Sequence, residues 1–236
     1  MDNRTEVLAP GVWRVEVGYL TNAYLLADDG SGDSGGLTVV DTGNASGGPR
    51  LVRSIRMLGL DPRAVRRVLL THWHRTHAGS AAAFARSSAR PSIHAGAEDV
   101  ELLAGTTPEG RRAADGGPTL RRAAEALGLL RPPAVVTAEP LTDGQVFEVA
   151  GGLRVLATPG HTPGHRSFWL PAQGVLIAGD AVWNVLAPSR GPRLLSTSPD
   201  TAATSLERLA ALEPGVVAVG HGPPLRNGLR EIAASR

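Results

Sequence analysis

Cysteine and lysine are both absent from this chain. Without cysteine there is no disulfide and no thiolate metal ligand, and the composition fits a reducing compartment. Without lysine, all 24 basic residues are arginine. With only two tyrosines as well, almost nothing titrates between histidine and arginine. A formal charge of +2 therefore coexists with an isoelectric point of about 9.9. That high value carries no nucleic-acid signal. The arginines stand singly or in pairs (Arg66-Arg67, Arg111-Arg112, Arg121-Arg122), with no basic run and no aromatic-rich basic stripe. Long apolar runs are also missing, so no segment reads as a bilayer span. The opening MDNRTEVLAPGVW holds two acids and no apolar signal-peptide core. The expectation is a cytoplasmic protein acting on a small molecule, without nucleic acid or membrane. Monomer and homodimer both remain open.

What is present is an ordinary globular balance, 42% hydrophobic and 19% charged. A chain of 236 residues can bury a sizeable core unaided, so a metal would serve chemistry rather than folding. Residues 1–236 read as one α/β domain. Strands are expected over Val12–Val17, Ala23–Ala27 and Leu37–Val40, where short apolar or alternating runs are broken by Gly/Asp/Ser stretches. More are expected over Val65–Leu70, Ser92–His94, Gln145–Val149, Leu153–Ala157, Arg166–Leu170, Val175–Ala178 and Val216–Val219. Helical spacing appears over Pro49–Gly59, Ala78–Ser87, Ala97–Leu103, Leu120–Leu129, Thr201–Leu212 and Leu225–Ala234, with Asp200 as an N-cap candidate. The segment 105–133 is expected to form a helical cap that bears on substrate choice.

Seven histidines occur in the chain, and three of them crowd into Thr71-His72-Trp73-His74-Arg75-Thr76-His77. Residues two apart on an extended backbone point the same way, so His72 and His74 can close on one ion. Three more strands end alike: Leu153–Ala157 leads to His161, Val175–Ala178 to Gly179-Asp180, and Val216–Val219 to Gly220-His221. Sites of α/β proteins assemble at carboxyl ends of strands, and glycine permits the turns that aim side chains inward. Isolated histidines are usually packing or surface residues. Four strand ends each delivering a donor argue instead for a metal site.

The ordered set THWHRTH, TPGHTPGH, GD and GHGP, with TNAYLL and LTVVDTG before it, resembles the metallo-β-lactamase superfamily. The resemblance runs from about Val12 to Pro224. It implies a four-layer αββα sandwich with the site at one edge. It further implies one metal on His72, His74 and His161, and a second on His77, Asp180 and His221, with Asp180 shared. The metal implied is zinc, one ion or two, with iron or manganese as alternatives. Asp41 resembles the family's aspartate that orients the ligand loop; a turn-forming Asp before Thr42-Gly43 is the other reading. His165 is expected to be structural or to support a ligand. The chain departs from the family where Thr76 replaces an aspartate that binds the second metal. A neutral hydroxyl is a far weaker ligand, so a full first site and a weakened or empty second one are expected.

The expected reaction is attack of metal-activated water on a carbonyl, with Asp180 orienting the water or moving its proton and Thr76 close by. Trp73, Trp183 and Asn184 are candidates for contact with substrate; buried structural tryptophan is the alternative for the first two. His94 reads as a loop residue after a short strand. Hydrolysis of a small ester, lactone or thioester is the expected function. The alternatives are a β-lactamase-like amide hydrolase, an iron-dependent sulfur dioxygenase, and a modified biosynthetic or non-hydrolytic protein.

Overall fold

A computed structural model describes residues 5–28, 35–106, 132, 136–191 and 193–234. The described strands are β1 (Thr5–Ala9), β2 (Val12–Gly18), β3 (Thr21–Ala27), β4 (Leu37–Val40), β5 (Val65–Leu69), β6 (Ser92–Gly96) and β7 (Glu139–Leu141). They continue with β8 (Val146–Phe147), β9 (Leu153–Ala157), β10 (Arg166–Leu170), β11 (Val175–Asn184), β12 (Pro188–Arg190) and β13 (Val216–His221). The helices are α1 (Gly47–Met57), α2 (Arg75–Ala78), α3 (Ala81–Ala85), α4 (Ala97–Leu103), α5 (Pro199–Ala210) and α6 (Leu229–Ala234). Hydrogen bonding runs in the order β7-β6-β5-β4-β3-β13-β11-β10-β9-β8, with β2 also on β3, β1 on β2, and β12 on β11.

Side-chain alternation turns this path into a four-layer αββα sandwich. Along β3, Ala23 and Leu25 join one apolar cluster and Tyr24 and Leu26 another. Along β11, Val175 and Ile177 join the same middle cluster, whereas Leu176 and Ala178 join a third. Successive strand residues face opposite sides, so each half of the sheet has two buried faces. The first cluster seats Leu51 and Ile55 of α1, Phe84 of α3 and Leu102 of α4 on β2–β6. The middle one joins strand to strand, with Phe168 and Tyr24 fully inside. The third seats Leu206 and Leu209 of α5 and Ile232 of α6 on β11 and β13. Each such buried aliphatic or aromatic side chain contributes roughly 1.5–3 kcal/mol of transfer free energy.

Strand directions place the site. β4 is parallel to β5, and β11 to β13. β3 runs antiparallel to both β4 and β13, while β10 runs antiparallel to both β9 and β11. The carboxyl ends of β4, β5, β9, β11 and β13 therefore open on one edge.

Several elements differ from the sequence reading: β1, β7 and β12 have no counterpart in it, and the last helix begins at Leu229 rather than Leu225. The helix expected over Ala78–Ser87 is two short ones, α2 and α3. The first turn belongs to the site: the His77 carbonyl accepts from Thr42 N at 2.7 Å and from Thr42 Oγ1 at 2.8 Å. β11 runs to Asn184 rather than stopping at Ala178, and it does so through register breaks around Gly179, whose φ is +56°. A Cβ at Gly179 would lie 2.8 Å from His165 Nε2 and 2.9 Å from Thr71 Cβ. Only glycine gives both that conformation and that closeness. The N-cap of α5 is Ser198, whose hydroxyl accepts from Thr201 N at 3.4 Å, rather than Asp200. The helix expected over Leu120–Leu129 lies outside the described residues, as does the cap over 105–133 apart from residues 105, 106 and 132. Among the described residues, no helix is long and apolar enough to cross a membrane.

Candidate metal centre

Six donor side chains meet at that edge: His72, His74, His77, His161, Asp180 and His221. Their donor atoms converge in two groups. His161 Nε2 lies 3.0 Å from His74 Nδ1 and 3.4 Å from Asp180 Oδ2, and His72 Nε2 lies 3.9 Å from the same oxygen. The other carboxylate oxygen, Asp180 Oδ1, lies 3.2 Å from His77 Nε2 and 3.6 Å from His221 Nε2. Asp180 thus faces two imidazoles with each oxygen, and His74 joins the first group through His161. All six side chains are buried.

Hydrogen bonds to Asp41 and Thr71 assign the Nδ1 protons of His72 and His77. Asp41 accepts from Thr71 N and from Thr71 Oγ1, each at 2.8 Å. The Thr71 hydroxyl proton is therefore used, and Thr71 Oγ1 accepts from His72 Nδ1 at 3.0 Å. His72 Nε2 is left with a lone pair, buried and without a hydrogen-bond partner. Burial, then the neighbouring His77, His74 and His161, pushes His72 well below the usual histidine pKa, so it is neutral. Asp41 also lies 2.8 Å from His77 Nδ1, which donates to it and leaves Nε2 aimed at Asp180. Burial alone would lower His77; the Asp180 and Asp41 carboxylates overcome it and raise it to about 10. Burial alone would likewise raise Asp180, yet His77 and His221 hold it well below the usual carboxylate range.

A second chain of bonds supports Asp180 from behind. Ser167 Oγ donates to Ala178 O at 3.1 Å, so Thr158 Oγ1 donates to Ser167 Oγ at 2.9 Å. His165 Nδ1 then donates to Thr158 Oγ1 at 2.8 Å, and His165 Nε2 accepts from Asp180 N at 3.1 Å. Burial first, then His161, lowers His165 to about 3, which agrees with a neutral ring in this role.

The cage fits a divalent cation. Imidazoles and one carboxylate are the donors such ions take, a charged ring such as His77 giving up its Nε2 proton on binding, and His72 Nε2 offers a buried lone pair to the space. A Cβ at Gly220 would collide with Asp180 Oδ1 and come within 2.9 Å of His77 Cε1, so glycine keeps that space open.

The other residues singled out in the sequence fall as follows. Thr76 is half-buried on α2 beside His77. Trp183 is half-buried with its ring 4.4 Å from that of His221. Asn184 donates to Pro223 O at 2.9 Å and ties the end of β11 to the segment after His221. Trp73 does not line an opening: it is 2% exposed within the first apolar cluster, its ring 4.9 Å from that of His74. Its indole buttresses the ligand loop from the core side. His94 lies within β6 rather than in a loop, with Nε2 2.8 Å from Ser92 Oγ and Nδ1 3.6 Å from Glu139.

Sequence reasoning missed two supports. Asn22, fully buried, donates to Val219 O at 2.8 Å and Gly222 O at 2.7 Å, holding the turn that carries His221. Tyr24 Oη donates to the same Val219 carbonyl at 2.6 Å, and burial pushes its phenol far above the usual value. A buried asparagine in an otherwise apolar strand was the available signal. Asp99 on α4 is the second; an acid in the first turn of a helix reads as an ordinary dipole-facing residue and gave no signal.

An αββα sandwich with a histidine–aspartate cage at one edge defines a metallo-hydrolase class of protein. The model of the metallo-beta-lactamase superfamily matches residues 17–221, and the chain belongs to that superfamily. A metallo-beta-lactamase family protein from Thermus thermophilus, TTHA1429, superposes with a TM-score of 0.71 at 29% identity, covering 96% of this chain and 78% of that one. TTHA1623, in a di-iron-bound form, superposes with a TM-score of 0.67 at 30% identity, covering 92% and 96%. The thioesterase pkgB of Emericella nidulans is 28% identical over 215 residues, which is 90% of this chain and 49% of that protein.

Proposed function

We propose that this chain is a metal-dependent hydrolase of a small-molecule ester, lactone or thioester. The observation that carries the reading is the convergence of four buried imidazoles on the two oxygens of Asp180, with His74 set against His161. In this reading His72, His74 and His161 hold a first ion, His77 and His221 a second, and Asp180 faces both. Zinc suits three imidazoles with an open position. Two histidines and a carboxylate also suit iron, which the likeness to a di-iron protein supports. With Thr76 where the family has a carboxylate, the second set binds more weakly, by roughly one to several orders of magnitude, since even lost supporting groups cost about 10–100-fold.

A divalent ion held by these residues would supply a lowered pKa for water, toward ~7, and polarisation of a carbonyl oxygen. Among the described residues Asp180 is the one carboxylate of the cage, so it would orient the attacking water or receive its proton as the new C–O bond forms. As the acyl C–O or C–S bond breaks and its electron pair leaves with the oxygen or sulfur, that proton passes to the leaving alkoxide or thiolate. Asp41 and His165 hold His77 and Asp180 in place, and the exposed part of Trp183 offers an apolar wall beside His221. The likeness to a thioesterase supports a thioester among the substrates.

The test is turnover by the purified protein on panels of lactones, thioesters and esters, before and after thorough dialysis against a chelator. Turnover of at least one class is expected, lost on chelation and restored by added zinc or iron. Turnover that persists after removal of all metal contradicts the mechanism.

A further inference from the structure

Asp99 lies in the first turn of α4 and is completely buried. Its Oδ2 accepts from Trp73 N at 3.2 Å and from Thr162 Oγ1 at 2.8 Å; its Oδ1 accepts from Gly164 N at 3.0 Å. Trp73 separates His72 from His74, and Thr162 follows His161 directly. One carboxylate therefore grips two loops, each within one residue of a first-set histidine.

We propose that Asp99 is a positioning residue that sets the spacing of His74 and His161 and so the metal affinity of the first set alone. This rests on the assignment of His72, His74 and His161 to one ion. The two loops have another tie, Arg166 N to Thr71 O at 2.7 Å. That tie lies at the His72 and His165 end. Asp99 governs the opposite end, where His161 Nε2 stands 3.0 Å from His74 Nδ1. The second set hangs on different supports: Asp41 for His77, His165 for Asp180, and Asn22 with Tyr24 for the His221 turn.

The packing leaves no slack for a substitute. A Cβ at Gly164 would collide with the Asp99 carboxyl carbon and lie 2.7 Å from Asp99 N. A Cβ at Gly96 would collide with the Gly164 carbonyl. The loop thus sits directly on the start of α4, with two glycines where any side chain would separate them. Asparagine at position 99 fills the same volume but offers a single acceptor oxygen. Its amide N–H groups then face at least one of the three donors, and a buried donor left unmatched is costly enough to move the loop.

The test is cobalt(II) titration of metal-free protein, followed by the visible ligand-field spectrum, for the wild type, Asp99→Asn and Thr162→Val. A His221→Ala variant identifies which binding phase belongs to the second set. The expected result is a first-set Kd raised about 10–100-fold in Asp99→Asn, a smaller rise in Thr162→Val, and an unchanged second-set Kd in both. A first-set Kd equal to that of the wild type overturns the proposal. Equal weakening of both sets also overturns it, since that is the mark of general support. Should Asp99→Asn not fold, Thr162→Val decides by the same criterion. A wild-type protein that binds no cobalt removes the metal assignment itself, whereas normal wild-type binding with an unaffected variant removes only the role of Asp99.

Discussion

Asp180→Asn lowers kcat by about 10²–10⁴-fold, the range lost when a positioned proton acceptor is removed. Asparagine keeps the volume and leaves the Gly179 bulge undisturbed, so the change isolates charge. One amide oxygen can still face one histidine group. The –NH₂ then turns toward the other, either the His77 and His221 nitrogens at 3.2 and 3.6 Å or His161 Nε2 at 3.4 Å. An N–H presented to a ligand nitrogen cannot share a cation with it. The second set, which has no other carboxylate, loses its ion; the first keeps three imidazoles. Metal content by elemental analysis and kcat on the substrate found in the panel read these effects separately. Full activity with normal metal content would show that Asp180 is a bystander.

Asp41→Asn is expected to weaken metal binding by about 10–100-fold and to lower kcat/KM in step. Asp41 has φ +59°, a left-handed conformation that asparagine tolerates as well as any residue with a side chain. The backbone therefore stays, and the carboxylate alone is lost. That carboxylate receives three donors: Thr71 N, Thr71 Oγ1 and His77 Nδ1, each at 2.8 Å. Asn can serve Thr71 N with its oxygen, but its amide then opposes the Thr71 hydroxyl and the His77 N–H. The Thr71 hydroxyl must turn, and with it goes the bond that gives His72 Nε2 its lone pair. Both sets suffer, in contrast with Asp99→Asn. Equal metal affinity in Asp41→Asn and the wild type would mean that the aspartate serves only its turn.

The strand ends were legible in the sequence because burial and geometry act locally there. A short apolar run, a glycine and a donor residue announce His161, Asp180 and His221 one at a time, and family likeness assembles them. The layers came from family likeness alone: Ala23–Ala27 and Val175–Ala178 read as plain runs, and the structure is what puts alternate residues of β3 and β11 in different cores. What resisted reading is set by contacts distant along the chain. The helix read as continuous from Ala78 breaks because the His77 carbonyl is committed to Thr42. Trp73 looked available between two ligands, yet the twist of that loop turns it into the first core. Asp99 could not be found at all, since its partners lie 26, 63 and 65 residues away.

The most direct test of the whole account is an anomalous-scattering map from crystals of the protein grown with zinc. The account predicts a strong peak within bonding distance of His72 Nε2, His74 Nδ1 and His161 Nε2, and a weaker one between His77, Asp180 and His221, where Thr76 supplies no charge. A map with no peak in reach of the three first-set nitrogens would contradict it.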